Sequence, residues 1–378
     1  MAPSANLVGR GVPEKRGVRV ARHRATRVSH SSVPAVRVLV TGGAGYVGSA
    51  LTHTLLDEGF RVRVVDCGFF GLDHVDSRAE VIAGSILDFA GEWLNGVDAV
   101  VHLAGLSNDP MAAFSPSLNY MLNAGGAAIV AQATKEAGIR RFVFSSTCSV
   151  YGLDDGDPLD EEHQTNPPFP YAISKLMAER MLACLTDEQF RPIILRKGTV
   201  VGWSPRMRFD LVTNAMVKSA LTQNRIVIHN PALWRPLIDV EDACHAYVRA
   251  LVADLSIAGV FNISSYNYTL DELGAIVVEN LESFGVRPAV EIQNRPDLRS
   301  YRVRTDKAAE ILKFRPKKPM AQTVREVAVN AMKLPAGDLE HSRYYNIRQM
   351  ERLMADGHLQ RNGHMTIPQG AVAIAAAR

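Results

Sequence analysis

Regular patterning of apolar and polar positions begins at Val36. From there, apolar runs of strand length recur at 36–40, 60–66, 79–86, 97–105, 140–152 and 192–202, the first interrupted only by Arg37. Near-continuous runs of this kind suit strands buried on both faces of a sheet. Helical spacing fills the gaps, from Tyr46 to Glu58 with Gly59 as C-cap, over 118–137 with Gly138 closing it, and over 171–187. The alternation predicts an α/β fold built on a doubly wound parallel sheet. After residue 203 the elements shorten, and Arg-bearing polar segments appear at 203–210, 229–239 and 293–303. These predict a smaller C-terminal lobe whose loops face a cleft. The domain expectation is a tail at 1–35, a nucleotide-binding sheet domain at 36–202 with elements returning near 234–262, a mainly substrate-binding lobe at 203–334, and an extension at 335–378. That extension reads as weakly structured, with one helix at 340–355 and a low-complexity end.

Composition changes this picture little. The 378 residues are 47% hydrophobic and 21% charged, which is ordinary for a globular chain. No run of about 18 apolar residues signals a membrane span. The net charge of +3 comes from the first 35 residues, which hold seven basic side chains against Glu14 alone. The remaining body gives no electrostatic case for nucleic-acid binding. The tail reads as a disordered extension, and its Arg-rich, acid-poor composition also suits organelle targeting. Cys67, Cys148, Cys184 and Cys244 stand far apart with no metal-ligand spacing, which points to reduced thiols in a cytoplasmic protein without a structural metal.

The chemistry starts at 41–49, TGGAGYVGS, where Gly42, Gly45 and Gly48 fit GxxGxxG between a strand and a helix. Glycine there permits a tight turn, close backbone approach to a pyrophosphate and tight helix–strand packing, while the helix N-terminus offers free N–H groups to the anion. This is the Rossmann arrangement for a dinucleotide. Asp66 ends the second strand eighteen residues after Gly48. A carboxylate there bonds the ribose hydroxyls and repels a 2′-phosphate, favouring NAD over NADP. Asp88, after the third strand, is placed to accept from the adenine amino group.

Tyr171 and Lys175 form a YxxxK at the start of a helix, so both side chains share one face. A free tyrosine, with a pKa of about 10, is a poor base at neutral pH. A neighbouring ammonium and a cationic nicotinamide ring would stabilise its phenolate. Upstream, 145–152 reads SSTCSVYG at the carboxyl end of a strand, the edge that faces the ligand crevice in such sheets. Thr147 there can hydrogen-bond a substrate oxygen and pass a proton to Tyr171.

Taken jointly, TGGAGYVGS, Asp66, Asp88, HLAG at 102–105, Asn123, SSTCSVYG, YAISK, 234–246 and 304–316 resemble the extended short-chain dehydrogenase/reductases, specifically the NAD-dependent epimerase/dehydratase family. The resemblance runs from about Arg37 to Pro316. It implies NAD held by Gly42, Gly45, Tyr46, Val47, Gly48, Asp66, Asp88, Leu103, Ala104, Asn123 and Lys175, and a catalytic set of Thr147, Tyr171 and Lys175. It implies a nucleotide-diphosphate sugar held by Thr199, Arg235, Arg295, Arg299 and Tyr301, guanidinium groups being suited to phosphate. A homodimer formed by helix pairing is also implied.

Departures blur the branch. Dehydratases acting at C4 and C6 carry Asp and Glu directly after the catalytic Thr, where this chain has Cys148 and Ser149. Cys148 is a candidate acid or base in their stead. The 4-epimerases have Asn at the place of Thr199, place their nucleotide-binding Arg one residue before Arg295, and have His where Asp239 stands. The expectation is an NAD-dependent nucleotide-sugar 4-epimerase working through a transient 4-keto sugar. The alternatives are a 4-reductase, dehydrogenase or variant dehydratase, and, from another class, a redox-inactive NAD-binding scaffold or sensor.

Overall fold

A computed structural model describes residues 36–153, 156–294, 300–335, 337–360 and 364–377. Twelve strands follow in chain order: β1 (Arg37–Thr41), β2 (Arg61–Asp66), β3 (Glu80–Ala83), β4 (Ala99–His102), β5 (Arg141–Thr147), β6 (Ile193–Lys197), β7 (Thr199–Val201), β8 (Arg225–His229), β9 (Trp234–Asp239), β10 (Gly259–Ile263), β11 (Tyr266–Thr269) and β12 (Ala289–Gln293). Seven of them form one parallel sheet in the order β3-β2-β1-β4-β5-β6-β10. The predicted doubly wound sheet is therefore present.

Successive side chains of a strand point to opposite faces, so each strand feeds two cores. Val38 and Val40 of β1 pack with Leu51 and Leu55 of the Tyr46–Asp57 helix, while Leu39 joins Phe142, Phe144 and Leu182 on the other side. The Val240–Val252 helix lies against the Tyr46–Asp57 helix. Beyond the main sheet, the described residues form a three-stranded sheet, β11-β9-β7, and the parallel pair β12-β8. The Val212–Gln223, Leu270–Leu281 and Met320–Lys333 helices pack on one another.

Three local readings needed correction. The apolar run at 192–202 is two strands, because the chain breaks at Gly198, where a Cβ would lie 2.7 Å from the Pro236 carbonyl. The 118–137 helix is interrupted by a π turn at Met121–Gly126 that carries Asn123; such turns often mark functional sites. The extension holds a helix at Asn346–Ala355, and its low-complexity end forms a second at Gln369–Ala376. Among the described residues no helix is long and apolar enough to cross a membrane. The 1–35 tail lies outside the described residues.

One buried ion pair ties the sheet to the Pro170–Leu185 helix. Arg196 of β6 donates through Nη2 to Glu179 Oε2 at 2.7 Å and through Nε to Oε1 at 3.1 Å, with both side chains over nine-tenths buried. Ser146 of β5 also donates to Glu179, and Arg196 Nη1 reaches Tyr151 Oη at 3.0 Å, which in turn bonds Asn262 of β10 at 2.8 Å. Removing one member strands the other in the core. Glu179→Ala is therefore expected to lower stability by about 3–5 kcal/mol in a urea titration. A loss under about 1 kcal/mol would show that water or a rearranged partner satisfies Arg196 instead.

Candidate active site

Two adjoining cavities, of about 260 and 110 Å³, open at the carboxyl ends of β1, β2, β4, β5 and β6. The glycine turn after β1 forms their shared floor. Gly42 has φ +73°, and a Cβ there would lie 2.6 Å from Ala104 N; one on Gly48 would lie 2.1 Å from the Gly42 carbonyl oxygen. The Tyr46–Asp57 helix begins at Gly45 with no side-chain cap. Its first-turn N–H groups are thus left for a ligand anion, with the positive end of the helix dipole behind them. Gly45, Tyr46, Val47 and Gly48 all line the cleft.

The smaller cavity holds Asp66, Cys67, Ser85, Ile86, Leu103 and Ala104. Asp66 accepts from Ala44 N at 3.0 Å and Gly68 N at 2.9 Å, so the carboxylate also shapes the glycine turn. Burial pushes its pKa up against these bonds and the nearby His74 and Arg206. Asp88 is exposed and lines a separate shallow hollow next to this cavity, with Ser85 and Trp93.

Thr147, Tyr171 and Lys175 all line the larger cavity, with Ser145, Ser146 and Ser149 beside them. Asn119 Nδ2 bonds the Pro170 carbonyl at 3.0 Å and so ties down the start of the helix, while Ser174 Oγ bonds the Tyr171 carbonyl at 2.7 Å within that helix. Burial pushes the Tyr171 phenol above its ordinary range and the Asp109 carboxylate adds to this, while Arg208 and the Thr147 hydroxyl pull it down. Lys175, expected from its spacing to lower the phenol, is not among the groups that do so. Its Nζ lies 5.1 Å from the Phe144 ring centroid, and burial lowers its pKa to about 8.

Some expected residues sit elsewhere. Asn123 is fully buried and does not line the cleft; it donates to the Leu106 carbonyl and Ser174 Oγ, both at 3.0 Å. It braces the cofactor-side loop against the Tyr171 helix. Cys148 is also fully buried, with Sγ 3.1 Å from the Arg196 carbonyl oxygen and its thiol pKa pushed up by burial. It faces the core, so nothing in the geometry supports it as an acid or base. Ser149 Oγ is engaged with Thr147 Oγ1 at 2.9 Å. Thr199, Arg235 and Tyr301 line the cleft, whereas Arg295 and Arg299 lie outside the described residues.

The cleft also contains groups that the sequence did not single out. Lys197 pairs in register with Thr147. Its Nζ donates to Ser145 Oγ and lies 3.3 Å from the Ser146 carbonyl oxygen. Burial, then repulsion from Lys175, lowers its pKa to about 7. Arg206 and Arg208 come from 203–210, the Arg-bearing segment that read as a cleft-facing loop. Arg208 grips Asp210 through two bonds of 2.9 and 2.8 Å. Arg206 stacks on Phe70 at 3.8 Å, and its buried Nε has no hydrogen-bond partner among the described residues. Burial, then Arg208, lowers its pKa to about 9.

The unpartnered Nε of Arg206 beside an uncapped helix N-terminus fits a diphosphate, and Asp66 above an apolar slot fits the adenosine. The residues present therefore fit NAD, and the fold and the glycine turn are those of a dinucleotide-binding domain of the Rossmann type. The chain belongs to the NAD dependent epimerase/dehydratase family, whose profile matches residues 38–264. It is similar to the UDP-glucose 4-epimerase of Azospirillum brasilense, with 37% identity over 185 residues, 47% of this chain and 53% of that protein. The chain spans about half the length of the curated relatives it matches. Among solved structures, MoeE5 in complex with UDP-glucuronic acid and NAD superposes with TM-score 0.70 and 25% identity, over 79% of this chain and all of that one. The NAD-dependent NDP-hexosamine 5,6-dehydratase TunA, at 22% identity, TM-score 0.71 and coverage of 80% of this chain and all of that one, shares the fold.

Two outcomes follow from this geometry. Gly48→Ala forces a methyl group into the Gly42 carbonyl, so NAD binding measured by calorimetry should weaken at least ~10-fold, about 1.4 kcal/mol; unchanged affinity would mean that the turn is not the cradle. Lys197 has a depressed pKa when folded, so the unfolded chain binds more protons between about pH 7 and the ordinary lysine value, and stability rises with pH across that window. Relative to wild type, Lys197→Met should be most favourable at or below pH 7 and lose that advantage as pH rises toward 10. Parallel melting curves for the two proteins from pH 6.5 to 10 would contradict the assignment.

Proposed function

We propose that the protein is a nucleotide-sugar 4-epimerase that returns its cofactor to the starting oxidation state in every turnover. The observation that carries this reading is the pairing of an intact Thr147–Tyr171–Lys175 set with the loss of elimination groups beside it. Cys148 is turned into the core and Ser149 is tied to Thr147, so neither is placed to take a proton from C5 or give one to a leaving hydroxyl.

In this reading Thr147 Oγ1 holds the oxygen of the sugar's 4-hydroxyl and Tyr171 takes its proton. NAD, when bound, supplies a hydride acceptor at C4 and gives the hydride back. Arg208 keeps positive charge near the phenolate as it forms, and Lys175 borders the same cavity. Arg235 and Tyr301, across the cavity, hold the nucleotide diphosphate, and the space between them and Thr147 lets the ketose present its other face. Relatives named UDP-glucose 4-epimerase support UDP as the nucleotide.

The test is incubation of the purified protein with UDP-glucose in D2O, followed by chromatography and NMR. UDP-galactose should appear with no deuterium at C4, because the hydrogen leaves and returns as hydride. Tyr171→Phe should slow turnover by about 10²–10⁴-fold while leaving NAD binding within a factor of about two. Stoichiometric release of NADH would support a dehydrogenase instead. Absence of turnover on UDP-, GDP-, dTDP- and CDP-sugars with NAD still bound would leave the scaffold reading standing.

A further inference from the structure

The end of the chain, read from sequence as a weakly structured extension, crosses back over the cofactor side of the cleft. The Tyr344 carbonyl accepts from Phe209 N at 3.1 Å, and the Tyr344 ring meets Phe209 edge-on at 5.5 Å between centroids. The Asn346–Ala355 helix starts there. Asn346, 3% exposed, accepts from Arg206 Nη2 at 2.6 Å and donates to Ser107 Oγ at 3.2 Å. Gln349 donates to the Phe69 carbonyl at 2.8 Å, in the loop just after Asp66.

The helix then dives into the sheet domain. Met350 is 0% exposed, and with Leu353 and Leu359 it belongs to the same core as Leu39, Val65 and Val100. Leu359 bridges Met365, and Met350 and Met365 line the smaller cavity together with Asp66, Ser85 and Ile86. Farther on, Ala371 fills the gap left by Gly68, where a Cβ would sit 2.4 Å from the Ala371 Cβ. All of this lies well beyond residue 264, where the family match ends.

We infer that Asn346, Met350 and Met365 are cofactor-site residues, forming an outer wall that keeps NAD on the protein from one turnover to the next. The inference rests on the cleft binding NAD and not on which sugar is used. Two thioethers are apolar, polarisable and adaptable, and suit the face of a purine. Asn346 fixes the guanidinium of Arg206, leaving its unpaired Nε for a diphosphate oxygen. An adenosine in this cavity would have protein on both sides, the sheet edge behind and the methionines in front. Release requires the wall to part, which exposes the Met350 and Leu353 side chains to water and breaks the Gln349 and Asn346 hydrogen bonds. Each of those losses slows dissociation.

The test measures retention of NAD itself. The full-length protein is purified and loaded with NAD, and the fraction still bound during dialysis is read by chromatography after denaturation. Wild type should hold NAD for hours. Met365→Ala and Asn346→Ala should each speed release at least tenfold with little change in melting temperature. Arg348→Ala, an exposed position on the same helix paired with Glu340, should behave as wild type. Met365 is only partly buried, so its truncation keeps the fold intact even if the Asn346 variant is unstable. Release from wild type within minutes, or a lowered melting temperature with unchanged release in both variants, would overturn the inference. A wild type that takes up no NAD would overturn the cofactor assignment along with it.

Discussion

The Arg196–Glu179 pair decides where the reacting groups stand. Glu179 sits on the helix that carries Tyr171 and Lys175, and Arg196 is the residue before Lys197 on β6. Ser146, bonded to the same carboxylate, is the residue before Thr147 on β5. One charge pair thus fixes the spacing among three elements, each of which delivers a side chain to the cleft. Taking both charges out of water is costly, and only the bidentate geometry and the added bonds to Ser146 and Tyr151 offset it. A hydrophobic pair could fill the same volume with equal or better stability, but it would not dictate one register of helix on sheet.

Much of this was legible in the sequence, for identifiable reasons. Strands buried on both faces announce themselves as unbroken apolar runs, and a dinucleotide turn needs glycine at fixed spacing, so the sheet and the Gly42–Gly48 cradle could be read locally. Thr147, Tyr171 and Lys175 were readable because their roles depend on position within a strand end and a helix start. Cys148 was misread because its neighbour Thr147 faces the cleft; the strand ends at Thr147, and the tight turn that starts at Cys148 carries its side chain to the Arg196 carbonyl. Lys197 escaped for the complementary reason. Its place opposite Thr147 depends on β5 and β6 being neighbours, which no single segment reveals. Gly198 and Pro236 break a run that looks continuous, through a contact 38 residues apart. The contacts of Asn346 with Arg206 and Ser107 span 140 and 239 residues, and nothing in the composition of 335–378 hints at them.

The charges in the cleft carry the last step. Lys175, Lys197, Arg206, Arg208 and Arg235 line one cavity, with Asp109 as the acid among its lining residues. Burial lowers the first three, to about 8, 7 and 9, and repulsion from a neighbouring cation adds to it for Lys197 and Arg206. Arg208 has Asp210 as its counter-charge, whereas burying the Lys197 ammonium and the Arg206 guanidinium costs electrostatic energy. A dinucleotide would bring a diphosphate to the Arg206 end, and in the proposed reaction a nucleotide sugar would bring a second to the Arg235 end. An anion beside Arg206 or Lys197 would favour the protonated form of that group. Tyr171 feels the same charges: burial and the Asp109 carboxylate favour its protonated phenol and Arg208 opposes them, so a cation beside the ring is what the proposed proton transfer needs.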